Sequence, residues 1–266
     1  MIPKIIHYCW LSGDPFPESI AGYMATWKEK LPDYEFILWD TNRFDLESNI
    51  WVKQAFEAKK YAFAADYIRL YAVYNFGGIY MDTDIQVVKS FDDLLNLPYF
   101  AGTEGENIIE AGVFGAEKGT LWLNDCMQYY EGRSFIKPDG SFDIKTLPKI
   151  IMQCLEKSKV IKTLPKELAI SALNQSSSNA FIMFPDDFFC AKNQGTGVVN
   201  ITENTYCIHH FAMSWMPDEY KFLPNLKRKL MRYFSVGFIQ GVVKIFYLRQ
   251  MRNMLIKNQS ENKSAR

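Results

Sequence analysis

Apolar and polar positions change period repeatedly along the first 157 residues or so. Ile5–Trp10 is rich in β-formers and predicts a first strand. Gly13, Pro15 and Pro17 break the chain, and a helical pattern runs over about 18–31. Tyr34–Trp39 alternates like a half-buried strand and stops at Asp40. Helical patterns follow at about 49–59 and 61–76. The string GGIYMDTDIQVV then predicts a tight glycine turn into an extended segment, with further strands near Phe100 and Val113. Strands alternating with helices predict an α/β fold: a Rossmann-like, mainly parallel sheet flanked by helices. No repeat and no low-complexity tract interrupts it, and 175–179 (QSSSN) is a polar loop.

The pattern changes near Lys221. Leu223, Leu226, Leu230, Phe234, Phe238, Val242, Ile245, Leu248, Met251 and Leu255 recur at three- and four-residue steps. That predicts a C-terminal helical extension with one apolar stripe, which Gly237 and Gly241 leave as one helix or two. The expected division is a catalytic domain over 1–220 and a basic amphipathic tail over 221–266.

Charge sharpens this division. The chain carries 30 Lys+Arg and 30 Asp+Glu, so its formal net charge is zero. Residues 221–266 hold eleven of the basic groups and one acid, Glu261, which leaves 19 basic and 29 acidic residues before them. A tail near +10 on a body near −10 predicts an anionic partner for the tail. That partner is either the acidic body itself or an anionic membrane surface met by 221–257. No nucleic-acid motif accompanies the basic residues, so nucleic acid is not an expected partner. Five scattered cysteines form no CxxC pair, and the opening MIPKIIHYCW lacks a signal-peptide pattern. Both favour a cytoplasmic protein, either free or peripheral on the inner face of the membrane.

Candidate chemistry lies in the middle of the chain. Asp82 and Asp84 flank Thr83, and in an extended segment residues i and i+2 share a face. Two carboxylates so placed suit a hard cation, Mn²⁺ or Mg²⁺, shared with substrate phosphates. The preceding stretch, YAFAADYIRLYAVYNF, is apolar nearly all round and predicts a buried helix. Its only charges, Asp66 and Arg69, share a face at i,i+3. Buried charges must be paired or serve a ligand, and both readings stay open here. Gly77-Gly78 permits a tight helix end and leads straight to Asp82.

The string A-D-x-x-R-x-x-x-x-x-x-x-G-G-I-Y-x-D-x-D, with the opening IPKIIHYCWLSG and the late IHHFAMSW, resembles glycosyltransferase family 32. That family contains Och1-type mannosyltransferases and bacterial capsule and lipopolysaccharide transferases. The string is also similar to the catalytic domain of large clostridial glucosylating toxins. The resemblance covers about residues 1–216 and implies a GT-A fold. It implies roles as well: Trp10 stacking on the nucleotide base, Asp66 and Arg69 holding ribose or donor hexose, Asp82 and Asp84 binding metal, and Ser214 and Trp215 on a loop touching the diphosphate. A late histidine completes the metal shell in related enzymes. Adjacent strand residues point to opposite sides, so at most one of His209 and His210 faces the cleft; His209 is the preferred candidate, and the alternation by itself leaves His210 open. Glu110 is a candidate sugar or acceptor contact; otherwise it is a loop-edge charge.

The implied activity is a retaining transfer of a hexose or N-acetylhexosamine from a nucleoside diphosphate sugar, UDP-sugar favoured, to a glycan acceptor. A lipid-linked acceptor in capsule or lipopolysaccharide assembly is the expected setting. A metal-dependent hydrolase and a non-catalytic sugar-binding module are the alternatives.

Overall fold

The computed structural model describes residues 1–105, 108–175 and 179–212. Ser214, Trp215 and the whole basic segment 221–266 lie outside the described residues, as does the expected boundary at 220. In chain order the elements are β1 (Ile5–Cys9), α1 (Glu18–Lys30), β2 (Glu35–Trp39), α2 (Ile50–Glu57), α3 (Tyr61–Phe76), β3 (Gly78–Met81), β4 (Ile85–Val87), β5 (Tyr99–Thr103), β6 (Ile109–Ala116), α4 (Leu121–Gln128), α5 (Leu147–Leu155), β7 (Val160–Thr163), α6 (Lys166–Leu173), β8 (Ala180–Met183), α7 (Asp186–Phe189) and β9 (Cys207–His209). Among the described residues no helix is long and apolar enough to cross a membrane. Residues 193–198 form a turn by themselves, in which Asn193 Oδ1 accepts the Thr196 N–H at 2.8 Å.

The central sheet has the order β2-β1-β3-β6-β5. β1 pairs parallel with β2 and with β3, whereas β6 pairs antiparallel with β3 and with β5. The sheet is therefore mixed, where the alternation of elements predicts a mainly parallel one. The reason is local. A short loop, not a crossover helix, joins β5 to β6, and a short loop returns the chain antiparallel. An α/β architecture of this kind, a mixed sheet flanked by helices, is consistent with a GT-A fold.

Alternation along the strands divides the interior into two cores. Tyr80, Phe114 and Ala116 join α2, α3, α4 and α5 on one face; Ile79, Met81 and Val113 join α1 and α7 on the other. β3 is buried along its whole length, as a central strand covered on both faces must be. α3 buries Ala64, Ile68, Leu70, Ala72 and Val73 completely, as its all-round apolar sequence predicts. Burying a side chain such as Ile68 or Leu70 contributes roughly 1.5–3 kcal/mol.

The Gly-Gly link between α3 and β3 is conformationally required. Gly77 has φ +69° and Gly78 has φ +107°. A Cβ on Gly78 would lie 2.7 Å from the Ile5 carbonyl oxygen, and one on Gly77 would lie 2.9 Å from the Lys118 nitrogen. Only glycine meets both demands. The Gly77 carbonyl then accepts from His7 Nε2 at 2.8 Å, while His7 Nδ1 accepts the indole N–H of Trp39 at 3.1 Å. One ring nitrogen donates and the other accepts, so buried His7 is neutral, protonated at Nε2.

Burial pulls the His7 pKa down to about 4, outweighing the Gly77 hydrogen bond. The unfolded chain titrates near the ordinary value of about 6.5. Between these values the unfolded state binds a proton that the native state refuses, so stability falls as pH drops through that window. The gap corresponds to roughly 3 kcal/mol. The stability difference between wild type and His7→Gln in urea is therefore expected to shrink by about that amount from pH 7 to pH 4. A pH-independent difference would contradict this.

Candidate functional site

The parallel strands β1, β2 and β3 all end at one edge of the sheet, where open α/β sheets bind ligands. Trp10 follows β1, Asp40 follows β2 and Asp82 follows β3. Because β6 is antiparallel, its beginning, Glu110-Ala111-Gly112, arrives at the same edge. The Asp82 N–H donates to the Gly112 carbonyl at 2.8 Å. The mixed topology thus positions the site as much as the parallel strands do.

Asp82 and Asp84 do not lie on one continuous extended segment. The chain leaves the central sheet at Met81 and enters a second sheet at Ile85, so it turns at Thr83-Asp84, and the Ile85 N–H closes on the Asp82 carbonyl at 3.1 Å. The turn and its anchors, rather than strand alternation, converge the two carboxylates.

Asp82 is held from the helix side. The Tyr80 hydroxyl donates to Asp82 Oδ1 at 2.7 Å, Arg69 Nη1 donates to Oδ2 at 3.3 Å, and Arg69 Nη2 lies 3.2 Å from Oδ1. The same guanidinium donates to the Ala111 carbonyl at 2.8 Å, faces Asp66 Oδ1 at 3.4 Å and lies over the Tyr80 ring at 4.6 Å. Its Nε faces the Ala65 carbonyl at 3.4 Å. All three nitrogens of Arg69 are thereby committed to protein acceptors. Arg69, expected with Asp66 to hold the donor, meets Asp82, Asp66 and the Ala111 carbonyl in this structure. Burial raises the Asp66 carboxyl to about 7 even though Arg69 opposes the shift. Burial also raises Asp82, with Arg69 again opposing.

Asp84 is held from the other side. β9 pairs antiparallel with β4, matching Ile85 with His209. His209 Nε2 comes within 3.4 Å of Asp84 Oδ1, and the Ala212 N–H donates to Asp84 Oδ2 at 2.7 Å. Burial would raise the Asp84 carboxyl, but His209 and the Ala212 N–H outweigh it and hold it at about 2. His210 points the other way. It stacks on Tyr23 at 3.9 Å and meets Gln86 Oε1 at 2.9 Å. The strand geometry therefore separates the two histidines and aims His209 at the carboxylates.

Asp82, Asp84 and His209 offer ligand atoms that all lie within 4.8 Å of one another. Two carboxylates and an imidazole fit a divalent cation, with Mn²⁺ and Mg²⁺ both compatible. Gly112 completes the cradle. A Cβ there would lie 2.8 Å from Glu110 Oε1, 2.9 Å from His209 Cε1 and 3.0 Å from Asp82 Oδ2. Glu110, expected as a sugar contact, has both carboxylate oxygens engaged within the protein. It is 1% exposed, its Oε2 meets His209 Nδ1 at 3.0 Å, and its Oε1 accepts the Gly112 N–H at 2.6 Å. Trp10 is half-buried after β1; its indole N–H donates to the Asp14 carbonyl at 2.6 Å and its ring packs on Phe16 at 4.8 Å.

Sequence reasoning misses Tyr80, Gly112 and the Ala212 N–H. Tyr80 had a readable signal, its i−2 position relative to Asp82. Gly112 and a backbone N–H from the far end of the chain carry none.

The fold and site together define a D-x-D-type cation site at the edge of an α/β sheet. Residues 17–101 match the family described as a glycosyltransferase sugar-binding region containing a DXD motif. Inositol phosphoceramide mannosyltransferase 3 of Schizosaccharomyces pombe is 31% identical over 126 residues, which are 46% of this chain and 35% of that protein. Inositol phosphoceramide mannosyltransferase 2 of the same organism is 34% identical over 165 residues, 60% of this chain and 48% of that protein. The chain thus spans less than half the length of these curated relatives. The solved PaToxG glycosyltransferase is similar with 19% identity and a TM-score of 0.44, over 59% of this chain and 68% of that one. Over residues 17–101 the chain is similar to DXD-motif glycosyltransferases broadly. The matches do not single out family 32 or the clostridial toxins.

Gly112→Ala should leave the fold intact and weaken Mn²⁺ binding at least tenfold, about 1.4 kcal/mol, because the new methyl group crowds three groups of the site. Calorimetric titration with Mn²⁺, alongside a melting curve, checks this; unchanged affinity would show that the cation does not bind against Gly112.

Proposed function

We propose that this protein is a divalent-cation-dependent glycosyltransferase that moves a hexose from a nucleoside diphosphate sugar to an acceptor hydroxyl. The observation that carries the reading is the convergence of Asp82, Asp84 and His209, whose ligand atoms all lie within 4.8 Å of one another, with Asp82 and His209 packed against the position where Gly112 lacks a Cβ. The match of residues 17–101 to a DXD sugar-binding region supports it.

A nucleoside diphosphate leaves readily only when its developing negative charge is neutralised. A bound divalent cation supplies that neutralisation as a Lewis acid, and Asp82, Asp84 and His209 are the residues that would hold it. The remaining residues organise the donor. Tyr80 and Arg69 keep the Asp82 carboxylate from rotating, and Arg69 acts on the donor through Asp82. Trp10, half-buried after β1, is the proposed platform for the base. Ser214 and Trp215, the expected loop over the diphosphate, lie outside the described residues.

We infer retention of configuration and a lipid-linked acceptor. The names of the two mannosyltransferase relatives support mannose as the hexose and an inositol phosphate headgroup on the acceptor, in place of the capsule or lipopolysaccharide setting. A membrane-facing role for 221–257 agrees with such an acceptor. The hydrolase alternative finds less support. A glycosidase sets two carboxyl groups on opposite sides of the scissile bond, whereas Asp82 and Asp84 converge on one point.

A panel of nucleoside diphosphate hexoses should show metal-dependent release of nucleoside diphosphate that rises with acceptor. Asp84→Ala should lower the rate by at least about 10²- to 10³-fold, and chelator should abolish it until Mn²⁺ is restored. Full activity in excess chelator would overturn the reading. Sugar release indifferent to every acceptor would point to the hydrolase.

A further inference from the structure

Glu110 is the most deeply buried acid of the site, and the reaction proposed above gives it no task. Its two oxygens are both occupied. Oε1 accepts the Gly112 N–H at 2.6 Å, and Oε2 lies 3.0 Å from His209 Nδ1. The His209 ring is fixed from a third direction by Phe211, stacked at 4.0 Å and 27°. Phe211 itself takes φ +51°, an uncommon conformation for a bulky residue, at the turn that brings the Ala212 N–H to Asp84.

We infer that Glu110 is a positioning residue that makes His209 a metal ligand through Nε2, and that it thereby sets a preference for Mn²⁺ over Mg²⁺. The inference rests on the metal-dependent reading of the site. An ionised carboxylate only accepts hydrogen bonds. Facing Oε2, Nδ1 must therefore carry a proton, so the nitrogen that gives up its proton to a cation is Nε2, which is directed at Asp84 and the cation space. A buried carboxylate behind a metal-bound imidazole fixes both tautomer and ring angle and raises ligand basicity. Magnesium prefers oxygen ligands and holds its waters, whereas an imidazole nitrogen favours the transition ion. A site of two carboxylates alone has little to separate the ions. The nitrogen of His209 supplies the difference, and Glu110 keeps it available to the ion.

Glu110→Gln probes this with almost no change in volume. Two donors, the Gly112 N–H and His209 Nδ1–H, then compete for one amide oxygen. The backbone donor is fixed, so the amide oxygen stays with Gly112 and the NH₂ turns to His209. Nδ1 must now accept, the proton moves to Nε2, and the ligand position is blocked.

The experiment measures Mn²⁺ and Mg²⁺ affinities of the full chain by calorimetry for wild type, Glu110→Gln, His209→Ala and the double variant. Glu110→Gln is expected to lose about 10- to 100-fold in Mn²⁺ affinity, with Mg²⁺ affinity changed much less. In the His209→Ala background the same substitution should change Mn²⁺ affinity by less than about twofold, since coupled residues fail to add. Equal loss for both ions, or an undiminished effect without His209, would overturn the inference. Wild-type protein that binds neither ion would instead overturn the metal-dependent reading itself. If Glu110→Gln does not fold, the wild type still decides. Loaded with diamagnetic Cd²⁺, its long-range proton–nitrogen correlation spectrum should show His209 protonated at Nδ1, and a proton at Nε2 would end the proposal.

Discussion

The balance of buried charge is the constraint on which this structure depends. Asp66, Asp84 and Glu110 are buried and Asp82 is partly buried, and the guanidinium placed among them is that of Arg69. Carboxylates taken out of water are costly unless hydrogen bonds and opposite charge compensate them. Arg69 bridges Asp66 and Asp82, and backbone N–H groups of Gly112 and Ala212 serve Glu110 and Asp84. The remaining negative charge is concentrated where Asp82, Asp84 and His209 meet. A divalent cation with a diphosphate suits that surplus, so the electrostatics that strain the fold are those the proposed chemistry needs.

That balance depends on two strand pairings of opposite kinds. The parallel β1–β3 pairing aligns Trp10 and Asp82 at one edge of the sheet. The antiparallel β3–β6 and β4–β9 pairings return Glu110 and His209 to the same edge from distant parts of the chain. Register is decisive in each case, because a one-residue slip would exchange faces. A shift in β4–β9 would turn His210 toward Asp84 and send His209 to Tyr23. The stacked Tyr23–His210 pair therefore secures the metal-facing histidine from the far side of its strand.

Glycine does similar work at two points. Gly77-Gly78 lets α3 reach the sheet without the clash a Cβ would make. Gly112 keeps open the space between three acidic or imidazole groups. In both places the missing side chain, rather than a present one, shapes the functional edge.

The sequence by itself determined the elements near the site and its central chemistry. The buried helix carrying Asp66 and Arg69, the glycine turn and the presence of two carboxylates one residue apart follow from local periodicity, spacing and motif, and strand alternation says that only one of His209 and His210 faces the site. These are properties of neighbouring residues, and backbone geometry alone enforces them. Which histidine faces the site is decided by the β4–β9 register. Tertiary structure decided which groups those residues meet. Whether Arg69 faces a donor or Asp82, whether Glu110 faces a sugar or His209, and whether the sheet is parallel or mixed depend on contacts between segments as much as 128 positions apart. Such contacts are set by which apolar faces bury together and by the compensation of charge inside them, and a one-dimensional pattern does not record either.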